Sequence, residues 1–176
     1  MLTVGQTFPE FHCKACTGNT ADDLTEIHTG SYEARWKLFV FYPKDFTFIC
    51  PTELVEFGKA ADQFDQRNVV LLAGSTDNEY SHLAWRQSHE DLGSLPYPLI
   101  AAQKLARDLG ILCPENDVCL RATFLVDPNG VIQWASCNNL SSGRSVEETL
   151  RVIDAVQSEK LCACNWKKGD EHVCPI

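Results

Sequence analysis

The stretch Trp36–Phe64, WKLFVFYPKDFTFICPTELVEFGKAADQF, decides the fold class of this chain. Its first part, Trp36–Tyr42, is almost continuously apolar and aromatic, which predicts a strand buried on both faces. Pro43 ends the strand, and a loop leads to Cys50 and to a segment with apolar residues at helical spacing. The residues predicted to share one helical face are Leu54, Phe57, Ala61 and Phe64. Because proline suits the first helical turn, Pro51 places Cys50 at or beside the helix N-terminus.

Strands and helices are predicted to alternate beyond this stretch. The patterns indicate strands over 68–73, 97–101, 121–126 and 131–136, and helices from about 78 to 90, over 103–109 and from 145 onward. Ser145 and Glu148 have the spacing of a capping box at the start of the last helix. We therefore expect an α/β fold with a mixed central sheet flanked by helices over residues 1–160. Residues 161–176 are polar and cysteine-rich without periodicity, which indicates a flexible C-terminal tail.

Composition and charge exclude several classes of partner. The chain of 176 residues has a net charge of -9, so it should repel nucleic acid and anionic membranes. The apolar runs are too short to span a bilayer, and the first residues, MLTVGQTFPEF, do not indicate a secretory leader. Nine cysteines without such a leader favour a reducing, cytoplasmic compartment.

The position of Cys50 predicts a reactive thiol. A helix N-terminus carries partial positive charge and unpaired N–H groups, which favour the thiolate, the nucleophilic form of cysteine. Reduction of a peroxide needs such a thiolate, donors that stabilise the departing oxygen, and restricted access of water. Thr47 offers a hydroxyl three residues upstream, and Pro43 is placed to shield the sulfur.

The run FYPKDFTFICPTEL resembles the signature of typical 2-Cys peroxiredoxins of the AhpC class, in which Pro-x-x-x-Thr-x-x-Cys forms the peroxide pocket. The matching residues here are Pro43, Thr47 and Cys50. Arg121, at the start of RATFLVDPNG, matches the pocket arginine of the family, and SHLAW and C-x-C-N-W match further motifs. The resemblance implies a thioredoxin-like peroxidase domain over 1–160 that reduces hydrogen peroxide and organic hydroperoxides, with no cofactor and no metal.

The same resemblance implies a recycling route. Cys50 becomes a sulfenic acid, and a resolving cysteine near the C-terminus of the partner subunit condenses with it. The matching resolving position is Cys162, in LCACNW, although Cys164 is an alternative or auxiliary resolving thiol. A homodimer is implied, and kin often assemble further into decamers. Three disulfide reductants remain open: thioredoxin, an AhpF-type flavoprotein and an AhpD-type adaptor.

Several residues have two interpretations. Glu53 is either a helix cap, the commoner role, or a hydrogen-bond partner of the arginine. Histidines such as His82 are expected on helix surfaces or at interfaces, because a thiolate mechanism needs no histidine base. Cys13 and Cys16 form a C-x-x-C that is typical of zinc or redox sites, and spectator thiols are the simpler interpretation. The role of Cys174 is open.

Two other functions compete with the peroxidase. A dithiol oxidoreductase would need a second cysteine three residues after Cys50, where the chain has Glu53. A zinc-bound or chaperone-like assembly protein would have to take its ligands from the N-terminal and C-terminal cysteines together.

Overall fold

The apolar run that begins at Trp36 forms an inner strand of a seven-stranded mixed sheet in the computed structural model, which describes residues 1–174. The strands are β1 (His12–Cys16), β2 (Leu24–His28), β3 (Trp36–Phe41), β4 (Val69–Ser75), β5 (Leu99–Ala101), β6 (Arg121–Val126) and β7 (Ile132–Asn138). The helices are α1 (Cys50–Lys59), α2 (Ala61–Asp65), α3 (Glu79–Ser88), α4 (Gln103–Asp108) and α5 (Val146–Gln157). The sheet order is β2-β1-β5-β4-β3-β6-β7, which confirms the predicted mixed sheet.

Alternation along β3 divides the core into two layers. Successive side chains of a strand point to opposite faces, so Leu38 and Val40 contact the cluster that includes Phe57 of α1. Phe39 and Phe41 belong to the other cluster, with Phe124 of β6 and residues of α4. β3 lies parallel to β4 and antiparallel to β6, which places the C-terminal end of β3 beside the N-terminal end of β6.

The predicted helix from residue 50 to residue 64 is divided at Ala60. Ala60 has φ -95° and ψ 3°, outside helical values, and α2 starts at the next residue. Ala60 is buried, whereas Ala61, which was predicted to share the apolar face, is half-buried. The break lets Phe64 stack on Phe57 at 6.0 Å between ring centroids. Both rings belong to the buried cluster beneath α1 and α2.

The hairpin formed by β1 and β2 has no counterpart in the predictions from sequence. Its register pairs His12 with His28 and Cys16 with Leu24. β1 also pairs with β5, so the hairpin extends the sheet beyond its parallel centre. The C-x-x-C therefore lies in a strand.

The C-terminal tail lies against α5. Residues 161–174 contain no helix or strand, and positions 175 and 176 of the predicted tail lie outside the described residues. Trp166 is only 5% exposed, and Arg151 of α5 donates a hydrogen bond to its carbonyl oxygen at 3.2 Å. No helix within residues 1–174 has the length and apolar character needed to cross a membrane.

Candidate active site

Cys50 is the first residue of α1, as predicted, and its side chain is fully buried. Ile49 occupies the N-cap and gives no side-chain cap, so the first-turn N–H groups have no side-chain acceptor from that residue. The partial positive charge of the helix end therefore acts on the sulfur.

Arg121 lies beside this sulfur. It is the first residue of β6, and its Nη1 is 3.5 Å from Sγ of Cys50. Its Nε donates to the carbonyl oxygen of Leu140 at 2.7 Å, which fixes the plane of the guanidinium. The structure therefore brings together the two residues that the sequence had placed far apart.

Glu53 holds a second arginine in the site. Its carboxylate accepts from Nη1 of Arg121 at 2.6 Å and from Nε of Arg144 at 2.8 Å. The interpretation of Glu53 as a helix cap is wrong, because the side chain is buried and both of its oxygens accept from arginines. Arg144 also donates to the carbonyl oxygen of Phe41 at 2.9 Å, so it joins the end of β3 to the site.

Arg144 was not predicted as a site residue from the sequence. Its position just before α5 carries no pattern that singles it out, because its partner lies 91 residues earlier in the chain. Only an indirect signal points to Arg144. A glutamate that is buried in the first turn of a helix requires a cationic partner.

The buried charges of this cluster do not cancel without the thiol. The side chains of Arg121 and Arg144 are each 4% exposed. Together they carry two positive charges, whereas Glu53 supplies a single negative charge. A thiolate at Cys50 would balance the remaining positive charge in a region that excludes water. The Cys50 sulfur therefore lies beside a buried cluster with net positive charge.

Glu53 is held in its charged form. Burial opposes its ionisation, but the hydrogen bonds and charge of Arg144, together with the charge of Arg121, outweigh burial and lower the pKa of Glu53. A carboxylate with a lowered pKa in the folded state stabilises the fold above its ordinary pKa, and this contribution is lost as the pH falls through the folded-state value.

We expect Glu53→Gln to lower the free energy of unfolding by roughly 3 kcal/mol at neutral pH, because it removes the one buried anion that both arginines share. The difference from the unchanged protein should shrink as the pH falls below the ordinary value of 4.5. Denaturant unfolding at neutral and acidic pH measures both effects. The control is Glu56→Gln, which removes an exposed pair with Lys59 and should leave the free energy of unfolding nearly unchanged. Equal losses in the two variants would contradict the prediction.

Pro43 and Thr47 lie in the loop between β3 and α1. Pro43 is buried two residues after the end of β3, and Thr47 is half-buried. The Thr47 hydroxyl donates to the carbonyl oxygen of Lys44 at 2.8 Å, and within residues 1–174 it makes no hydrogen bond to Cys50. Their predicted roles in the peroxide pocket therefore stay predictions.

A buried polar cluster fixes the same loop. Asp45 accepts from the Tyr42 hydroxyl at 2.8 Å and lies 2.8 Å from Nδ1 of His82. The prediction that His82 lies on a surface is wrong, since it is fully buried between Asp45 and the carbonyl oxygen of Ile100. The cluster ties the loop before Cys50 to α3 and β5.

The two predicted resolving cysteines differ in exposure. Cys162 is half-buried just after α5, whereas Cys164 is exposed. Neither contacts Cys50 within the described chain, and none of the nine cysteines, all within residues 1–174, is in a disulfide.

The C-x-x-C motif does not form a site. Cys13 and Cys16 are three positions apart in β1, which separates them by about 10 Å and turns their side chains to opposite faces. A disulfide needs Cα atoms within about 7 Å, so this strand does not allow one. Burial raises the pKa of Cys13 to about 11, against a smaller lowering by Lys104. Among the described residues, no group of three or more suitable side chains is placed to hold a metal ion.

Comparison with known proteins gives one consistent family. Residues 4–135 match the AhpC/TSA family. Alkyl hydroperoxide reductase C of Mycolicibacterium smegmatis is 44% identical over 185 residues, covering 98% of this chain and 94% of that protein. Peroxiredoxin tpx1 of Schizosaccharomyces pombe is 39% identical, covering 98% of this chain and 93% of that protein.

Solved structures agree with the sequence relatives. Reduced 2-Cys peroxiredoxin of Plasmodium vivax superposes with a TM-score of 0.90 at 36% identity, covering 98% of this chain and 93% of that one. Mycobacterium tuberculosis AhpC gives a TM-score of 0.86 at 40% identity, covering 95% of this chain and 99% of that one. The predicted thioredoxin-like fold is confirmed, and the chain belongs to the AhpC/TSA family.

Proposed function

We propose that this protein is a peroxiredoxin, a thiol-dependent peroxidase that reduces hydrogen peroxide and organic hydroperoxides at Cys50. The observation that carries the proposal is the 3.5 Å contact between the Cys50 sulfur and the Arg121 guanidinium at the N-terminus of α1. The similar proteins named alkyl hydroperoxide reductase and peroxiredoxin support the same chemistry.

The buried positive charge has two roles in the chemical step: it stabilises the Cys50 thiolate, and it binds the peroxide. The Cys50 thiolate attacks the nearer peroxide oxygen, the O–O bond breaks, and Cys50 becomes a sulfenic acid. The departing hydroxide or alkoxide carries the developing negative charge and leaves as water or alcohol after taking a proton. Arg121 donates hydrogen bonds to the peroxide oxygens, while Thr47 and Pro43 shape the pocket and limit access of water.

Recycling uses a second thiol. Cys162 of the partner subunit condenses with the sulfenic acid to form an intersubunit disulfide, and Cys164 is the auxiliary or alternative resolving thiol. A dithiol reductant, whether thioredoxin, an AhpF-type flavoprotein or an AhpD-type adaptor, restores both cysteines. The working unit is a homodimer that can assemble into a decamer. A reducing, cytoplasmic compartment suits nine cysteines that are all unpaired.

The test of this function is intact mass spectrometry of the reduced protein after one equivalent of hydrogen peroxide, followed by disulfide mapping. The expected product is a dimer joined through Cys50 and Cys162, together with consumption of the peroxide. Consumption of peroxide with Cys50 left unmodified would contradict the proposed function.

We expect Cys162→Ser to allow one turnover and to prevent recycling, because the sulfenic acid at Cys50 then has no resolving thiol. The measurement is peroxide consumption per subunit with a thioredoxin system as reductant, combined with the mass increase of one oxygen atom. Cys164→Ser is the matched control and should keep multiple turnover. Full recycling in Cys162→Ser would reassign the resolving role to Cys164.

A further inference from the structure

The end of the chain forms a closed loop from Leu161 to Val173. The Val173 N–H donates to the carbonyl oxygen of Leu161 at 2.9 Å and closes the loop. Inside it, Trp166 Nε1 donates to the carbonyl oxygen of Asp170 at 3.2 Å, and the Asp170 carboxylate accepts from the Lys167 N–H at 2.8 Å. The two ends of the loop are thus held side by side.

This closure places His172 against Cys162. Nδ1 of His172 lies 3.8 Å from the Cys162 sulfur, directly across the closed ends. The imidazole stacks on the indole of Trp166 with 5.1 Å between ring centroids and 26° between planes. Because Trp166 is buried, it fixes the orientation of the histidine ring. The hydrogen bonds and ring stacking of the loop therefore hold His172 and Cys162 together.

The other neighbours of the Cys162 sulfur are oxygen atoms at the end of α5. The sulfur lies 3.8 Å from the carbonyl oxygen of Ala155 and 3.5 Å from the Ser158 hydroxyl, at the C-terminal end of α5. The C-terminus of a helix carries partial negative charge, which disfavours a thiolate. Because only the thiolate attacks another sulfur, Cys162 needs a group that removes its proton.

We propose that His172 is the general base for Cys162, a catalytic residue of the resolving step; this inference rests on the proposed function. Nδ1 takes the thiol proton, and the Cys162 thiolate attacks the sulfur of the Cys50 sulfenic acid in the partner subunit. The S–S bond forms, the S–O bond breaks, and the departing hydroxide takes the proton from His172 and leaves as water. Cys162 is oxidised and the Cys50 sulfur is reduced to the disulfide level. Since both residues belong to the same closed loop, base and nucleophile travel together.

The experiment separates the two chemical steps after rapid mixing of reduced protein with one equivalent of hydrogen peroxide. Quenched samples give the rate of sulfenic acid formation at Cys50 and the rate of Cys50–Cys162 disulfide formation. For His172→Gln we expect the first rate to be unchanged and the second to fall by about 10²- to 10⁴-fold. His28→Gln, a substitution of an exposed histidine in β2, is the matched control and should change neither rate.

Chemical rescue tests a base against a structural role. In His172→Ala, added imidazole should restore much of the lost rate of disulfide formation, because a free base can replace the missing side chain. An unchanged rate of disulfide formation in His172→Gln, or a slowed His172→Ala that imidazole does not rescue, would overturn the inference while leaving the peroxidase intact. If the unchanged protein forms no Cys50–Cys162 disulfide at all, the proposed resolving route falls as well.

Discussion

Replacing Cys50 by serine is expected to lower peroxide reduction by about 10⁴-fold or more, as loss of the nucleophile does in other enzymes. A serine hydroxyl at this position is not ionised and cannot take up the oxygen. The fold should persist, since the substitution changes one atom at a fully buried position. Peroxide consumption under single-turnover conditions, with circular dichroism of the same sample, measures both results.

The matched control is Cys137→Ser, which removes an exposed thiol from β7 without touching the arginine cluster. It should keep full activity. If the Cys50→Ser protein still reduced peroxide and the Cys137→Ser protein were impaired, Cys50 would not be the reactive cysteine.

Arg121→Ala is expected to lower kcat/KM for hydrogen peroxide by about 10²- to 10³-fold, the usual loss when one preorganised donor is removed from a charged transition state. The effect arises because the guanidinium both compensates the thiolate and donates to the peroxide oxygens. Glu53 keeps its bonds to Arg144, so the loss of stability should stay near 1–3 kcal/mol. Stopped-flow kinetics and denaturant unfolding measure the two quantities separately.

Two further variants sharpen this test. Arg121→Lys should recover part of the rate, because it keeps the charge and loses the planar, two-pronged donor. Arg35→Ala removes a more exposed arginine paired with Asp65 at 2.6 Å and should leave the rate unchanged. A near-normal rate in Arg121→Ala would place this residue outside the peroxide pocket.

Local patterns predicted the parts of the fold that depend on local physics. The apolar run before Pro43 and the helical spacing after Cys50 were sufficient for β3, α1 and the place of the thiol between them. Ser145 was predicted as a helix cap, and its hydroxyl accepts from the Glu148 N–H at 3.1 Å. Arg121 was predicted as a site residue only from the family resemblance, because no local pattern distinguishes it from a surface arginine.

The features that were missed depend on contacts between distant parts of the chain. β1 and β2 are short and partly polar, and they become strands because β5 supplies a sheet edge for β1. Burial of Glu53 and of His82 follows from partners that lie far away in sequence, Arg144 and Asp45. Polar residues of this kind resemble surface residues until their partners are known.

The complete enclosure of the Cys50 sulfur has a consequence for the order of events in a catalytic cycle. A disulfide needs its two Cβ atoms about 3.8 Å apart, so a sulfur with no accessible surface cannot be bridged until the first turn of α1 opens. The same enclosure also keeps peroxide from the sulfur, so oxidant and reductant alike depend on movement of the loop before α1 or of its first turn. In the proposed cycle the reductant therefore acts on Cys162, which lies on the C-terminal tail, and not on Cys50 directly.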